Sequence, residues 1–329
     1  MKLAFITSPK VRPFVPLLAV LLFGCVLNAH GAFFEWQTHR AVLREIAVGG
    51  ILACGMTVVI VSGGIDLAVG SVLALSAVSF AWLTLLHGWA GFFALPVVLL
   101  VGAGAGALSG ALVAWPRMQP FIVTLAMMVF ARGLAKELSG GQKISTYVQE
   151  PDGTFRTVPL PAVFEALDGR VLGGNVSVVT LVFLASALVT WVILERLRVG
   201  RYLFAVGGNF EAARLSGVPV RLTLVFAYVL SGIFAALAGV CQAAQETHGD
   251  PETGMGYELD AIAMVVLGGT SLMGGRGGVA LTVIGALTLG YLEKVLSLNA
   301  YSTELRLMLT GVILVLAVLF QRRFGRETA

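Results

Sequence analysis

The side chains that could do chemistry in this chain are few and dispersed. Its four histidines, His30, His39, His87 and His248, have no second His or Cys at a metal-ligand spacing. No Gly-x-Ser-x-Gly turn presents a nucleophilic serine. No Gly-x-x-x-x-Gly-Lys-Ser/Thr loop offers a phosphate cradle, and Gly140-Gly141-Gln142-Lys143 lacks both that spacing and its strand-to-helix setting. No catalytic residue, metal or cofactor is therefore expected. The most informative ionisable residue is Asp66, in Val61-Ser62-Gly63-Gly64-Ile65-Asp66-Leu67-Ala68-Val69-Gly70-Ser71. A carboxylate inside an apolar segment is costly and marks a functional site by default. It can act as a polar contact or gate on a substrate path, or as an N-cap for a helix over Leu67–Leu86. Capping or hinge support near one membrane surface is the favoured role, and the two are compatible. Glu258 and Asp260 open an apolar run to Leu272, where carboxylates suit the positive end of a helix. Arg132 is expected to snorkel toward the outer surface, and Glu293-Lys294 is given no role.

The elements that must hold these residues are membrane helices. The chain is 57% hydrophobic and 12% charged, with a mean hydropathy of +0.91, against about 25% charge in soluble domains. Apolar runs of helical length occur at Phe14–Ala29, Glu45–Val61, Leu67–Leu86, Gly91–Trp115, Phe121–Ala135, Val176–Leu194, Leu222–Gln242, Asp260–Leu272, Val279–Leu296 and Leu305–Phe320. The expected fold is an all-α polytopic membrane protein of about ten helices, a single transmembrane domain over residues 1–329. Cys25, Cys54 and Cys241 lie in apolar runs and read as small hydrophobes. Lys2, Lys10 and Arg12 before Phe14–Ala29 resemble a signal peptide, and Leu22-Phe23-Gly24-Cys25 loosely resembles a lipoprotein site, but the many later spans favour an uncleaved first helix.

Sidedness follows from Lys and Arg. With residues 1–13 inside, Arg117, Arg196, Arg198, Arg201, Arg214, Arg221, Arg276, Arg322, Arg323 and Arg326 all face the cytoplasm, while Arg40, Arg44, Lys143, Arg156 and Arg170 count against this. The segments 195–221 and 321–329 are then cytoplasmic, and the polar 136–175 stretch is periplasmic. The net charge of +4 is explained by this sidedness rather than by nucleic acid.

Two glycine breaks interrupt the apolar runs: Gly63-Gly64, and Gly268-Gly269 in Gly268-Gly269-Thr270-Ser271-Leu272-Met273-Gly274-Gly275. Irregular backbone at membrane depth survives only inside protein or beside a cavity, and paired breaks suggest a duplicated transporter, here with a parallel repeat. Gly102-Ala103-Gly104-Ala105-Gly106-Ala107 with Gly110 reads as close helix packing. In the 195–221 segment, Gly208, Asn209, Glu211, Ala212, Ala213, Ser216 and Gly217 define a short helix. Asn209 is its N-cap, Gly217 its stop, and Pro219 lies just beyond. Its small alanines leave a surface that can dock in a partner's groove.

Four stretches in order resemble the monosaccharide ABC-importer permeases of the ribose, xylose, galactose and galactofuranose group. They are Val61 to Ser71; Pro120-Phe121-Ile122-Val123-Thr124-Leu125 with Ala131-Arg132-Gly133; Gly207-Gly208-Asn209 through Ser216-Gly217-Val218; and Tyr257-Glu258-Leu259-Asp260 through Gly268-Gly269 to Gly277. The second permease chain of galactofuranose importers is among the similar proteins. The resemblance implies a bacterial inner-membrane importer subunit with a second permease subunit, cytoplasmic ATP-binding subunits and a periplasmic sugar-binding protein. It makes Glu211 to Gly217 the loop presented to the ATPase. A neutral sugar needs hydroxyls rather than strong charge along its path, which Ser62, Ser71, Thr124, Thr270 and Ser271 supply beside the hinge residues Gly63, Gly64, Asp66, Gly268 and Gly269. The rival reading is an ion-coupled secondary transporter, which broken helices suit equally well but for which a relay of intramembrane carboxylates is wanting.

Overall fold

The computed structural model describes residues 14–149, 154–306, 308, 309, 311 and 312. Lys2, Lys10, Arg12, Glu150, Asp152, Arg322, Arg323, Arg326, the 321–329 tail and most of the run to Phe320 lie outside the described residues. Helix α1 spans Phe14–Val26, α2 Trp36–Val61 and α3 Val69–Ala81, which ends in a π-helical turn at Trp82–Leu86. Helix α4 is Gly91–Ala114 and α5 Pro120–Ser139. After the short α6, Ala162–Asp168, come α7 (Val178–Glu195), α8 (Arg198–Gly208), α9 (Phe210–Leu215), α10 (Val220–Glu246), α11 (Tyr257–Leu267) and α12 (Val279–Leu298). Among the described residues six helices are long and apolar enough to cross a membrane, Trp36–Val61, Val69–Leu86, Gly91–Ala114, Val178–Glu195, Val220–Glu246 and Val279–Leu298. The chain is a helical polytopic membrane protein.

Helix α10 is the hub, packed against α2, α3 and α4. Its fit to α4 rests on small residues. A side chain at Gly102 would strike the Gly232 carbonyl, and one at Gly106 the Tyr228 carbonyl, while Gly110 lies against Val225. The glycine stripe is a packing surface, as its spacing suggests. Helix α1 packs on α12 through Val20, Leu292 and Leu296.

Three departures from the sequence expectation matter for the site. Helix α2 begins at Trp36 rather than Glu45, because its polar first turns dock on the segment before α7. Trp36 Nε1 donates to Asn175 Oδ1 at 3.0 Å, Arg40 donates to the Gly174 carbonyl at 3.1 Å, and Arg44 pairs with Asp168. Although the fold stays all-helical, the 136–175 stretch is not plain loop. It holds α6 and two small antiparallel pairs, Tyr147–Gln149 with Phe155–Thr157 and Arg170–Val171 with Val176–Ser177. Helix α11 runs from Tyr257 and stops at Leu267 instead of Leu272, so its 11 residues span about 16 Å, half of a hydrocarbon core. The other half of that crossing is irregular chain. Gly249 lies against Ala77, Val78 and Ala81, and Gly254 lies against Gly70 and Leu73, so residues 251–256 descend alongside α3 before α11 starts, with Asp250 outside the crossing beside the exposed Lys143.

Candidate hinge and coupling surface

At the end of α2 the Ser62 hydroxyl folds back on the Val59 carbonyl at 2.8 Å. Gly63 then turns the chain with φ +87°, a conformation open to glycine without steric penalty. Gly64 lies so close to Tyr228 that an added Cβ would come within 2.5 Å of Tyr228 Oη. Residues 64–68 climb back into the bundle without helical structure. Asp66 Oδ2 accepts from Ser231 Oγ at 2.7 Å. Ser231 is eleven residues into α10, some 16 Å from its start at 1.5 Å per residue.

Asp66 is thus 4% exposed and deep in the protein, not near a surface. Nor does it cap α3. The N-cap position is Ala68, with no side-chain capping bond, and Asp66 Oδ1 accepts from the Ala68 amide at 3.0 Å. This is an Asx-type turn two residues before the helix. The carboxylate props the irregular chain and ties it to α10, which corrects the capping expectation. Thr124 joins the same break from α5, donating to the Ile65 carbonyl at 3.3 Å and the Pro120 carbonyl at 3.0 Å. Ser71 is buried in the first turn of α3. Backbone groups that leave a helix at this depth need such partners, because no water reaches them.

The second break closes on itself. Gly269 has φ +102°. Thr270 Oγ1 accepts from the Gly278 amide at 3.3 Å, the Ser271 amide donates to the Arg276 carbonyl at 3.0 Å, and Ser271 Oγ accepts from the Met273 amide at 3.2 Å. Leu272, Met273 and Arg276 at its tip are exposed.

The two breaks meet. The Gly275 amide donates to the Val61 carbonyl at 2.9 Å, and a Cβ on Gly274 would come within 2.9 Å of Gly63 Cα. The third member is Gly207 near the end of α8, where a side chain would strike the Val61 carbonyl and come within 2.7 Å of the Gly275 nitrogen. Ser62, Gly63, Gly64, Asp66 and Thr124 therefore form one assembly, touched by the loop that Gly268, Gly269, Thr270 and Ser271 begin. Helix α8 itself was not expected. Gly200, Leu203 and Val206 form its buried face and Arg198 and Arg201 its exposed one, a clear amphipathic pattern that a search for long apolar runs passes over.

Helix α9 is where the sequence puts it. Asn209 Oδ1 accepts from the Ala212 amide at 3.0 Å as N-cap, Gly217 takes φ +82° just past the end, and Ala213 is buried. Gly208, Glu211, Ala212, Arg214, Leu215 and Ser216 are exposed. Arg117, Arg196, Arg198, Arg201, Arg214 and Arg221 lie at this end of the molecule, with the guanidinium of Arg117 5.7 Å from the Phe210 ring centroid.

At the opposite end the irregular 249–256 segment is strapped to α5 and the turn after it. Arg132 does not snorkel. Its Nη1 donates to the Pro251 carbonyl at 2.5 Å and the Thr253 carbonyl at 2.7 Å. Lys136 pairs with Glu252 at 2.6 Å, Lys143 with Asp250 at 3.0 Å, and Ile144 forms a β-bridge with Gly249. Partial burial pushes the Asp250 carboxyl up, but the Glu252 amide and the Lys143 ammonium outweigh it and hold the group below its ordinary value. The Asp250 hydrogen bond and charge in turn raise Lys143. Glu258 and Asp260 sit in the first turn of α11, whose N-cap is Gly256 with no side-chain bond, so they act there as charges and not as caps. Lys294, given no role above, pairs with Glu45 at 2.6 Å and joins α12 to α2.

A family profile described as "Branched-chain amino acid transport system / permease component" matches residues 38–318. The ribose import permease protein RbsC of Escherichia coli (strain K12) is 39% identical over 310 residues, covering 93% of this chain and 92% of that protein. RbsC of Bacillus subtilis (strain 168) is 36% identical over 320 residues, covering 95% and 93%. The galactofuranose transporter permease protein YtfT of Escherichia coli (strain K12) is 35% identical over 340 residues, covering 96% and 92%. No solved structure matches this chain.

Proposed function

The chain belongs to the permease family of ribose-type ABC importers, and from that premise we propose that it forms the membrane path for a monosaccharide handed over by a periplasmic binding protein. The observation that carries the mechanism is the three-way contact of Val61, Gly207 and Gly275. Helix α9 is short, exposed and joined to α8, and Gly207 of α8 is seated on both breaks. A push on α9 from a cytoplasmic ATP-binding subunit therefore reaches the ends of α2 and α11 through one rigid helix. Gly63 and Gly269 take up the angle change, and Asp66 with Ser231 keeps the first break on α10 while it happens. Ser62, Thr124, Thr270 and Ser271 spend their hydroxyls on backbone groups of the breaks and Ser71 is buried beside them, so in this reading they hold the hinge that borders the path. An ion-coupled secondary transporter has no need of such an exposed driven helix.

The α8–α9 end is the cytoplasmic one in this reading. The arginines at 117, 196, 198, 201, 214, 221 and 276 support it by the positive-inside rule, with both termini on that side and the 136–175 segment outside, in a bacterial inner membrane. The full fold is read as about ten helices in a parallel repeat. Helices α2 and α11 run in the same direction and end side by side, which supports that reading. A second permease chain, the same or homologous, completes the path. Relatives named for monosaccharides favour a sugar over an amino acid as cargo.

The test is uptake by proteoliposomes holding this chain, its ATP-binding and permease partners and its binding protein. Labelled ribose, galactose or fructose should enter only with ATP inside the coupling compartment, and leucine should not. Ala212→Trp should leave sugar binding to the binding protein intact and separate ATP hydrolysis from uptake. Leucine uptake without sugar uptake overturns the cargo, and normal coupled uptake by the Ala212 variant overturns the role of α9.

A further inference from the structure

We propose that Arg132 and Glu258 form a hydroxyl-binding site for the transported sugar partway across the membrane; the inference rests on the sugar-import reading above. Arg132 lies twelve residues into α5, about 18 Å from its start. Three carboxylates lie within Coulombic range of its guanidinium, those of Asp250, Glu252 and Glu258. Two already have cations, since Lys143 takes Asp250 and Lys136 takes Glu252. The Glu258 carboxylate has neither a hydrogen bond nor an ion pair among the described residues of α11 and its surroundings.

Both side chains reach Gly70, on which the Gly254 carbonyl also packs. Arg132 spends Nη1 on the Pro251 and Thr253 carbonyls, while Nη2 reaches the Gly70 carbonyl only at 3.5 Å. A Cβ on Gly70 would come within 2.6 Å of Glu258 Oε2. A guanidinium with N–H groups to give and a carboxylate with lone pairs to fill thus flank one side-chain-free residue without pairing directly. A hydroxyl is donor and acceptor at once. One sugar hydroxyl can accept from Arg132 while it donates to Glu258, and a vicinal diol can span the two. Charged partners roughly double the strength of such bonds. The two charges cancel, so a neutral sugar leaves no net charge in the membrane. Arg132 and Glu258 are themselves both partly exposed.

Glu258 is the residue to change, because its removal breaks no bond in the fold. In the reconstituted importer, with whichever of ribose, galactose or fructose the wild type carries fastest, Glu258→Ala should lower sugar taken up per ATP hydrolysed by about tenfold, the factor carried by roughly 1.4 kcal/mol. Binding-protein-stimulated ATP hydrolysis, thermal midpoint and subunit co-purification should match wild type. Glu258→Gln, whose amide still bonds hydroxyls, should recover part of the loss. Wild-type uptake per ATP in Glu258→Ala overturns the site, and so does loss of assembly or of thermal stability in that variant, which would make the residue structural. If the wild type carries leucine and no sugar, the sugar reading itself fails, and the site fails with it.

Discussion

The two glycine breaks solve one problem in opposite ways. The break after α2 is held by the rest of the protein: Ser231 on α10 holds Asp66, Thr124 on α5 holds the Ile65 carbonyl, and Tyr228 fills the space beside Gly64. The break after α11 is held by its own loop, through Thr270 to Gly278 and Ser271 to Arg276 and Met273, and by backbone contact of Gly274 and Gly275 with Val61, Gly63 and Gly207, with Met273 86% exposed. One is held by side chains of the core. The other is a loop with an exposed tip, joined to the first break through backbone. Two similar glycine breaks are therefore held differently, because neighbours supplied by distant sequence decide the surroundings of each.

That contrast can be broken at several points. The largest effect is expected where the breaks join. Gly207→Val forces a side chain against the Val61 carbonyl and the Gly275 amide, and overpacking against backbone costs ~3 kcal/mol or more; thermal unfolding in detergent and ATP-driven uptake should both collapse. Next, Gly64→Ala should cost about 2 kcal/mol, and adding Tyr228→Phe should return about 1 kcal/mol by clearing the hydroxyl from the new Cβ. No second substitution should rescue Gly275→Ala, whose neighbours are the Gly208 backbone. Equal rescue at both would erase the distinction between a side-chain-held and a backbone-held break. Third, Ser231→Ala should destabilise by roughly 1–3 kcal/mol through an unsatisfied buried carboxylate, and Thr270→Ala by about 1 kcal/mol; a chemical-denaturation series that reversed this order would make the second break the one held more by side chains.

Two smaller effects sharpen the picture. Asp250 is held below its ordinary value, so the stabilisation it contributes is present above the unfolded aspartate value and disappears as pH falls through the lower folded one. Lys143→Ala should shift the onset of acid unfolding slightly upward in pH, followed by tryptophan fluorescence. Met273→Ser should leave stability within about 0.5 kcal/mol, as an exposed tip requires.

What was legible in the sequence is what local chemistry determines. Asn209, Gly217 and Pro219 announce α9 because capping acts over one turn. Gly63-Gly64 and Gly268-Gly269 announce breaks because the apolar runs stop there with no polar loop between them. Arg132 misled, since an arginine in an apolar helix has two outlets, the surface or a buried set of carbonyls, and its carbonyls lie 119 and 121 residues away. Asp66 misled in the same way. Its neighbours Leu67 to Ser71 suggest a helix start, but the partner that fixes its depth, Ser231, is 165 residues downstream. The first turns of α2 were lost to the apolar window because Trp36, Arg40 and Arg44 are matched by Asn175, Gly174 and Asp168, which hydropathy does not register.

The meeting of Gly207, Gly274 and Gly275 with Val61 and Gly63 also bears on how the chain can change over generations. Each contact there is backbone on backbone. An enlarged side chain at one position cannot be accommodated by shrinking another, because the opposing residues have nothing left to remove. Compensating pairs of mutations, the usual route by which packed positions drift, are closed at this point. Three stretches far apart in the gene must therefore keep their bare backbone together for this contact to form.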